Sequence, residues 1–80
     1  MAIKKKILVV EDNRPLSKAM KIQLEKAGFD VAQAYDGKEA LDKVSIEVFD
    51  LLIVDLIMPE MDGFTFISEV KKRDIKTSIM

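Results

Sequence analysis

Leu51-Leu52-Ile53-Val54 is an unbroken apolar run, and Asp55 closes it. A strand with solvent on one face alternates apolar and polar residues. A run that is apolar at every position suits a strand covered on both faces. Such a strand needs a sheet around it and cover above and below, the arrangement of helices laid on a parallel sheet.

The rest of the chain supplies those parts. Ile3 to Val10 ends in a second β-rich run, Ile7-Leu8-Val9-Val10, bounded by acids. In Asp12-Asn13-Arg14-Pro15, Asn13 or Asp12 can cap a helix and Pro15 suits its first turn. Leu16, Met20, Leu24 and Ala27 recur at helical spacing with Ala19 beside them, while Lys18, Lys21, Glu25 and Lys26 face elsewhere. Gly28 closes that helix. Phe29 to Ala34 reads as a second strand, Asp36-Gly37 as a turn, and Ala40, Leu41 and Val44 as one face of a helix from about Gly37 to Ser45. The third strand is Leu51 to Asp55. Phe64, Ile67 and Val70 mark a third helix ending near Lys72-Arg73, and Thr77 to Met80 begins a fourth strand. The order β-α-β-α-β-α-β predicts parallel βαβ units with right-handed crossovers.

Composition narrows the function. Eighty residues make one domain with a small core. Thirteen basic residues against 14 acidic ones give no electrostatic case for nucleic acid or an acidic membrane surface. With no cysteine and no histidine, any metal is held by oxygen, which favours hard cations. Lys4, Lys5 and Lys6 precede an apolar run that reaches only from Ile7 to Val10. A secretory h-region needs roughly 7–15 residues and a membrane span roughly 20. The expectation is a soluble, cytoplasmic protein.

In a parallel sheet, ligands sit beyond the carboxyl ends of the strands, where the winding direction reverses. If strand 2 lies on one side of strand 1 and strand 3 on the other, Glu11 and Asp12 after strand 1 meet Asp55 at the end of strand 3. Taken singly, each acid has a plainer role, as a helix start or a turn residue. Together they form a costly cluster, since two like charges 4 Å apart repel by roughly 4 kcal/mol at an effective dielectric of 20. Magnesium relieves such a cluster, accepting one or two carboxylates while keeping several waters. A carboxylate neutralised in this way can attack a phosphoryl group.

With those residues in view, the chain resembles the receiver domain of two-component response regulators. "ILVVEDN" is similar to that family's first strand and acidic pair, "LLIVDLIMPEMDG" to its phosphorylation segment, and "KTSIM" to the start of its fourth strand. The resemblance implies a flavodoxin-like sheet, here β-α-β-α-β-α-β in the order 2-1-3-4. It implies Asp55 as phosphoacceptor, a histidine kinase as partner, and magnesium held by Glu11, Asp12, Asp55 and the backbone carbonyl of Ile57. Glu11 stands where the family usually has aspartate, one methylene shorter. Met58-Pro59 and Gly63 would shape the loop over the site. Family members run to roughly 120 residues, within the usual domain range. The 80 residues are therefore expected to be an incomplete receiver domain, lacking the hydroxyl after strand 4 and the lysine after strand 5. Phosphoryl acceptance is then expected to be impaired.

Two enzyme-like or ligand-binding rivals fit less well. A flavodoxin-type nucleotide binder wants backbone N–H groups after strand 1, where Glu11-Asp12 repel phosphate. A haloacid-dehalogenase-like phosphatase wants an acid at the position of Ile57. The other alternative is an inactive folding or assembly module. An exposed sheet edge and incomplete cover predict a homodimer through strand 4, with Ile75, Ile79, Met80 and Phe64 or Phe66 in the contact.

Overall fold

The computed structural model describes residues 4–55, 63–73 and 78–79. Its elements are β1 (Lys6–Val10), α1 (Arg14–Lys26), β2 (Asp30–Ala34), α2 (Gly37–Ile46), β3 (Leu51–Val54), α3 (Gly63–Lys72) and β4 (Ser78–Ile79). All strand pairs are parallel and the sheet order is β2-β1-β3-β4. The predicted architecture and order are therefore the observed ones, with β1 beginning three residues later than expected, at Lys6, and other element ends shifted by a residue or two.

Local chemistry sets those ends. Asn13 caps α1, its Oδ1 accepting from the Leu16 N–H at 3.1 Å, and Pro15 stands in the first turn, where no donor is lost. Past the other end, Gly28 takes φ +98°. Its N–H donates to Glu25 O and that of Phe29 to Leu24 O, a paired closure that only a residue tolerant of the left-handed region permits cheaply. Asp36, expected in a turn, caps α2 by accepting from the Glu39 N–H at 2.8 Å.

The side chains of β1, β2 and β3 alternate between two layers. Leu8, Val10 and Leu52 point to a face covered by α2 and α3, where Ala40, Leu41, Val44, Phe66 and Val70 complete one buried cluster. Ile7, Val9 and Val31 point to the other face, where Met20 and Leu24 of α1 lie over them.

Two expectations need correction. Leu16 is about half exposed and Ala19 and Ala27 are exposed, so the buried stripe of α1 runs through Ser17, Met20 and Leu24 instead. Apolar periodicity misplaced the stripe because one inward position carries a serine, which is fully buried. Phe66, on α3, is also fully buried in the cluster shared with α2 and the sheet, and so is unavailable for an intermolecular contact. The side chains of Phe64, Ile75, Ile79 and Met80 lie outside the described residues.

Candidate functional site

The parallel ladders of β1 end together at one rim of the sheet. Val10 pairs with Ala34 on one side and with Val54 on the other. One step further, the Glu11 N–H donates to Ala34 O at 3.0 Å and the Asp55 N–H donates to Val10 O at 2.9 Å. Both acids thus leave the sheet from backbone that is still hydrogen-bonded to it. Asp12 follows Glu11 in the short turn to α1, and the position between β1 and β3 is the switch point of the winding.

Each of Glu11, Asp12 and Asp55 offers a carboxylate oxygen, and these oxygens lie within 4.8 Å of one another. Glu11 and Asp55 are half-buried and Asp12 is exposed. The additional methylene of Glu11 lets its carboxylate fold back along the chain, where Oε2 accepts from the Asn13 N–H at 3.0 Å. Burial holds the Glu11 carboxyl above the usual carboxylate range; the Asn13 N–H opposes this, and neighbouring Asp12 and Asp55 add to it.

An all-oxygen donor set with crowded negative charge fits a small hard cation. It fits neither a soft metal, which wants sulfur, nor a bare phosphate, which the carboxylates repel. Ile57, Met58, Pro59 and Asp62 lie outside the described residues, so the fourth expected ligand is not placed.

Sequence reasoning missed the polar contacts between α1 and the edge of the sheet. Gln33 Nε2 donates to the buried Ser17 Oγ at 2.7 Å, and the Arg14 guanidinium lies 3.9 Å from the centre of the Tyr35 ring. Gln33 and Tyr35 occupy or follow the edge strand β2 and read as ordinary surface residues, so no sequence signal marked them. A groove of about 640 Å³ between α1 and this edge is lined by Arg14, Lys18, Lys21 and Tyr35 among others, but by none of the three acids.

The sequence matches the profile of the response regulator receiver domain family over residues 7–80. The fold is similar to the receiver domain of a Francisella response regulator, at 32% identity and a TM-score of 0.92, covering 95% of this chain and 63% of that one. It is similar to the Thermotoga maritima response regulator TrrA, solved in complex with Mg2+ and BeF, at 33% identity and a TM-score of 0.89, covering 94% and 65%. A Vibrio cholerae chemotaxis protein matches at 32% identity and 0.87, covering 96% and 68%. The chain thus spans under two thirds of the first two of these relatives.

Proposed function

The chain belongs to the response regulator receiver domain family, the signalling module of two-component systems, and from that membership we propose that Asp55 accepts a phosphoryl group from a histidine kinase. Glu11, Asp12 and Asp55 would hold magnesium, with the Ile57 carbonyl as a further ligand. The observation that carries the reading is the meeting of three carboxylate oxygens within 4.8 Å at the switch point. The magnesium complex of the similar Thermotoga protein supports the choice of ion.

Asp55 is suited to the nucleophile's role by its backbone. Its N–H is tied to Val10 O, so the carboxylate projects from the rigid end of a central strand. A carboxylate oxygen of Asp55 forms a bond to phosphorus as the bond from phosphorus to the donor's imidazole nitrogen breaks, and the imidazole leaves with that electron pair. Magnesium, when bound, offsets the charge of the cluster and the charge spread over the phosphoryl oxygens. Glu11 and Asp12 would hold that ion beside Asp55. The chain acts as an acceptor in this reaction, not as a turnover catalyst.

For a polypeptide of these 80 residues we propose slow acceptance and a short-lived adduct, because the hydroxyl and lysine contacts implied by the family fall outside it. Removing one donor to developing charge typically costs about 2.7–4 kcal/mol. We also propose that it self-associates along the outer edge of β4 and works in the cytoplasm, without nucleic acid or membrane as partner. Among the described residues no helix is long and apolar enough to cross a membrane.

Incubation with acetyl phosphate and magnesium tests the central claim. Intact-mass measurement should show the addition of one phosphoryl group, lost in Asp55→Asn and on chelation. No addition to the wild-type chain, with the fold intact, overturns the reading for this polypeptide.

A further inference from the structure

α1 meets the sheet through Met20 and Leu24, but its one fully buried side chain is the polar Ser17, bonded to Gln33 of β2. We infer that Ser17 and Gln33 are positioning residues for the acidic cluster. Their bond fixes where α1 begins relative to the sheet, and so where the turn before it holds Glu11 and Asp12 against Asp55. This rests on the proposed cation-binding role of the cluster and deepens it.

The connection is traceable atom by atom. Gln33 Nε2 donates to Ser17 Oγ at 2.7 Å. The Ser17 N–H donates to Asn13 O at 2.8 Å, and the Asn13 N–H donates to Glu11 Oε2 at 3.0 Å. Hydrogen bonds therefore run from the edge strand, through the first turn of α1, to a carboxylate of the cluster. Asp55 and the backbone of Glu11 are anchored separately, by the sheet itself. Only the α1 end of the turn depends on how the helix is seated.

Apolar packing alone would seat it loosely. Contact among apolar side chains is non-directional, so a helix can roll or slide slightly with little loss of buried area. On the β3 side α1 borders an open groove of about 320 Å³ lined by Ala19, Met20, Gln23, Leu24 and Ile53. A hydrogen bond has steep distance and angle requirements and sets a register that apolar contact does not. Magnesium tolerates little error in ligand position. The Arg14–Tyr35 stack is a second tie at the same end of the helix, with Arg14 exposed at the surface. A buried hydroxyl is costly unless bonded, and serine is a mediocre residue for a helix interior. Its presence on the inward stripe matches a positional task.

The test is a magnesium titration of the full chain, followed by amide NMR, for Gln33→Met, Ser17→Ala and the double variant. Each single variant should weaken magnesium binding by about 3- to 10-fold, at or below the lower end of the range seen when direct outer partners of metal ligands are removed. The double variant should be no weaker than the worse single, since both remove one bond. In the metal-free state, hydrogen exchange at the Asn13 amide should quicken in all three. Wild-type affinity and wild-type Asn13 exchange in the variants, even with lowered melting temperatures, would make the bond merely structural and overturn the inference. A wild-type chain that fails to bind magnesium would instead bring down the reading of the cluster, and this inference with it. If Ser17→Ala does not fold, Gln33→Met, at a half-buried position, decides the question.

Discussion

On one face of the sheet Leu8, Val10 and Leu52 lie beneath α2 and α3, sealed from solvent; on the other, Ile7 and Val9 lie beneath α1, the one helix on that face among the described residues, with Leu51 and Ile53 beside them still partly open. The same strands supply both sets, so the difference is one of cover. Two helices close the first face with Phe49, Phe66 and Val70. One helix closes part of the second and leaves the groove beside Ile53. The first face holds the larger buried cluster. On the second, the Ser17–Gln33 bond is proposed to fix by direction what dense packing fixes on the first.

Truncation on the two faces should separate them most clearly. Phe66→Ala removes a fully buried ring from the closed cluster. It should cost about 3–5 kcal/mol, enough to unfold much of a domain near the low end of ordinary stability. Ile53→Ala, on the partly open face, should cost about 1–2 kcal/mol because its site is already partly hydrated. Urea denaturation measures both. Equal costs would mean that the α1 face is as well closed as the other, and the comparison would fail.

Self-association probes the same asymmetry from outside. The backbone of Ile79 pairs with Leu52, and β4 is the last strand in the described order. Ile79→Lys should shift the sedimentation profile toward monomer and lower the melting temperature. A compact, cooperatively folding wild-type monomer at high concentration would show that neither the edge nor the groove recruits a second copy.

The apolar runs at Ile7–Val10 and Leu51–Val54 made the sheet legible in the sequence, because a strand buried on both faces leaves little else for such runs to be. The capping residues made the helix starts legible for the same local reason. The convergence of Glu11, Asp12 and Asp55 followed from topology once strands 1 and 3 were neighbours. Ser17 and Gln33 were not legible. A polar residue on an inward stripe is invisible to hydrophobic periodicity, and its partner on β2 becomes relevant only when α1 has been docked. The buried position of Phe66, against its expected surface role, likewise depends on the rotation of α3, which four apolar residues in ten did not fix.

The rim of the sheet should trade stability for its acids. Without a cation, carboxylates within 4.8 Å repel by between roughly 1 kcal/mol in water-like screening and roughly 4 kcal/mol at an effective dielectric of 20. Asp12 is exposed, so the lower figure governs it. Asp12→Asn should therefore raise metal-free stability by about 1 kcal/mol, seen as a melting temperature about 4–8 °C higher for a domain of this size. The same variant should lose most of the rise that magnesium gives the wild type. A variant that melts lower in chelator would show the carboxylate to be held by attractive contacts rather than strained by repulsive ones.

Glu11 gives the smallest effect, and its sign is distinctive. Burial, with Asp12 and Asp55 nearby, holds its carboxyl above the usual range despite the Asn13 N–H. The folded chain then binds this proton more tightly than the unfolded chain does. The contribution is fully present below the ordinary carboxylate value and is lost as pH rises through the raised folded one. Glu11→Gln keeps an acceptor for the Asn13 N–H and removes the charge. In chelator at neutral pH the variant should thus melt above the wild type, and the gap should close as pH falls through that window. A gap that stays constant or widens on acidification would mean that the Asn13 bond outweighs burial. Adding magnesium at neutral pH should reverse the order, because a ligand that binds only the folded state stabilises by RT ln(1 + [L]/Kd) and the variant has given up one of its oxygens' charge. That reversal ties the raised proton affinity of Glu11 to the cation the cluster is proposed to hold, since a residue serving only the fold would keep the same order with and without the ion.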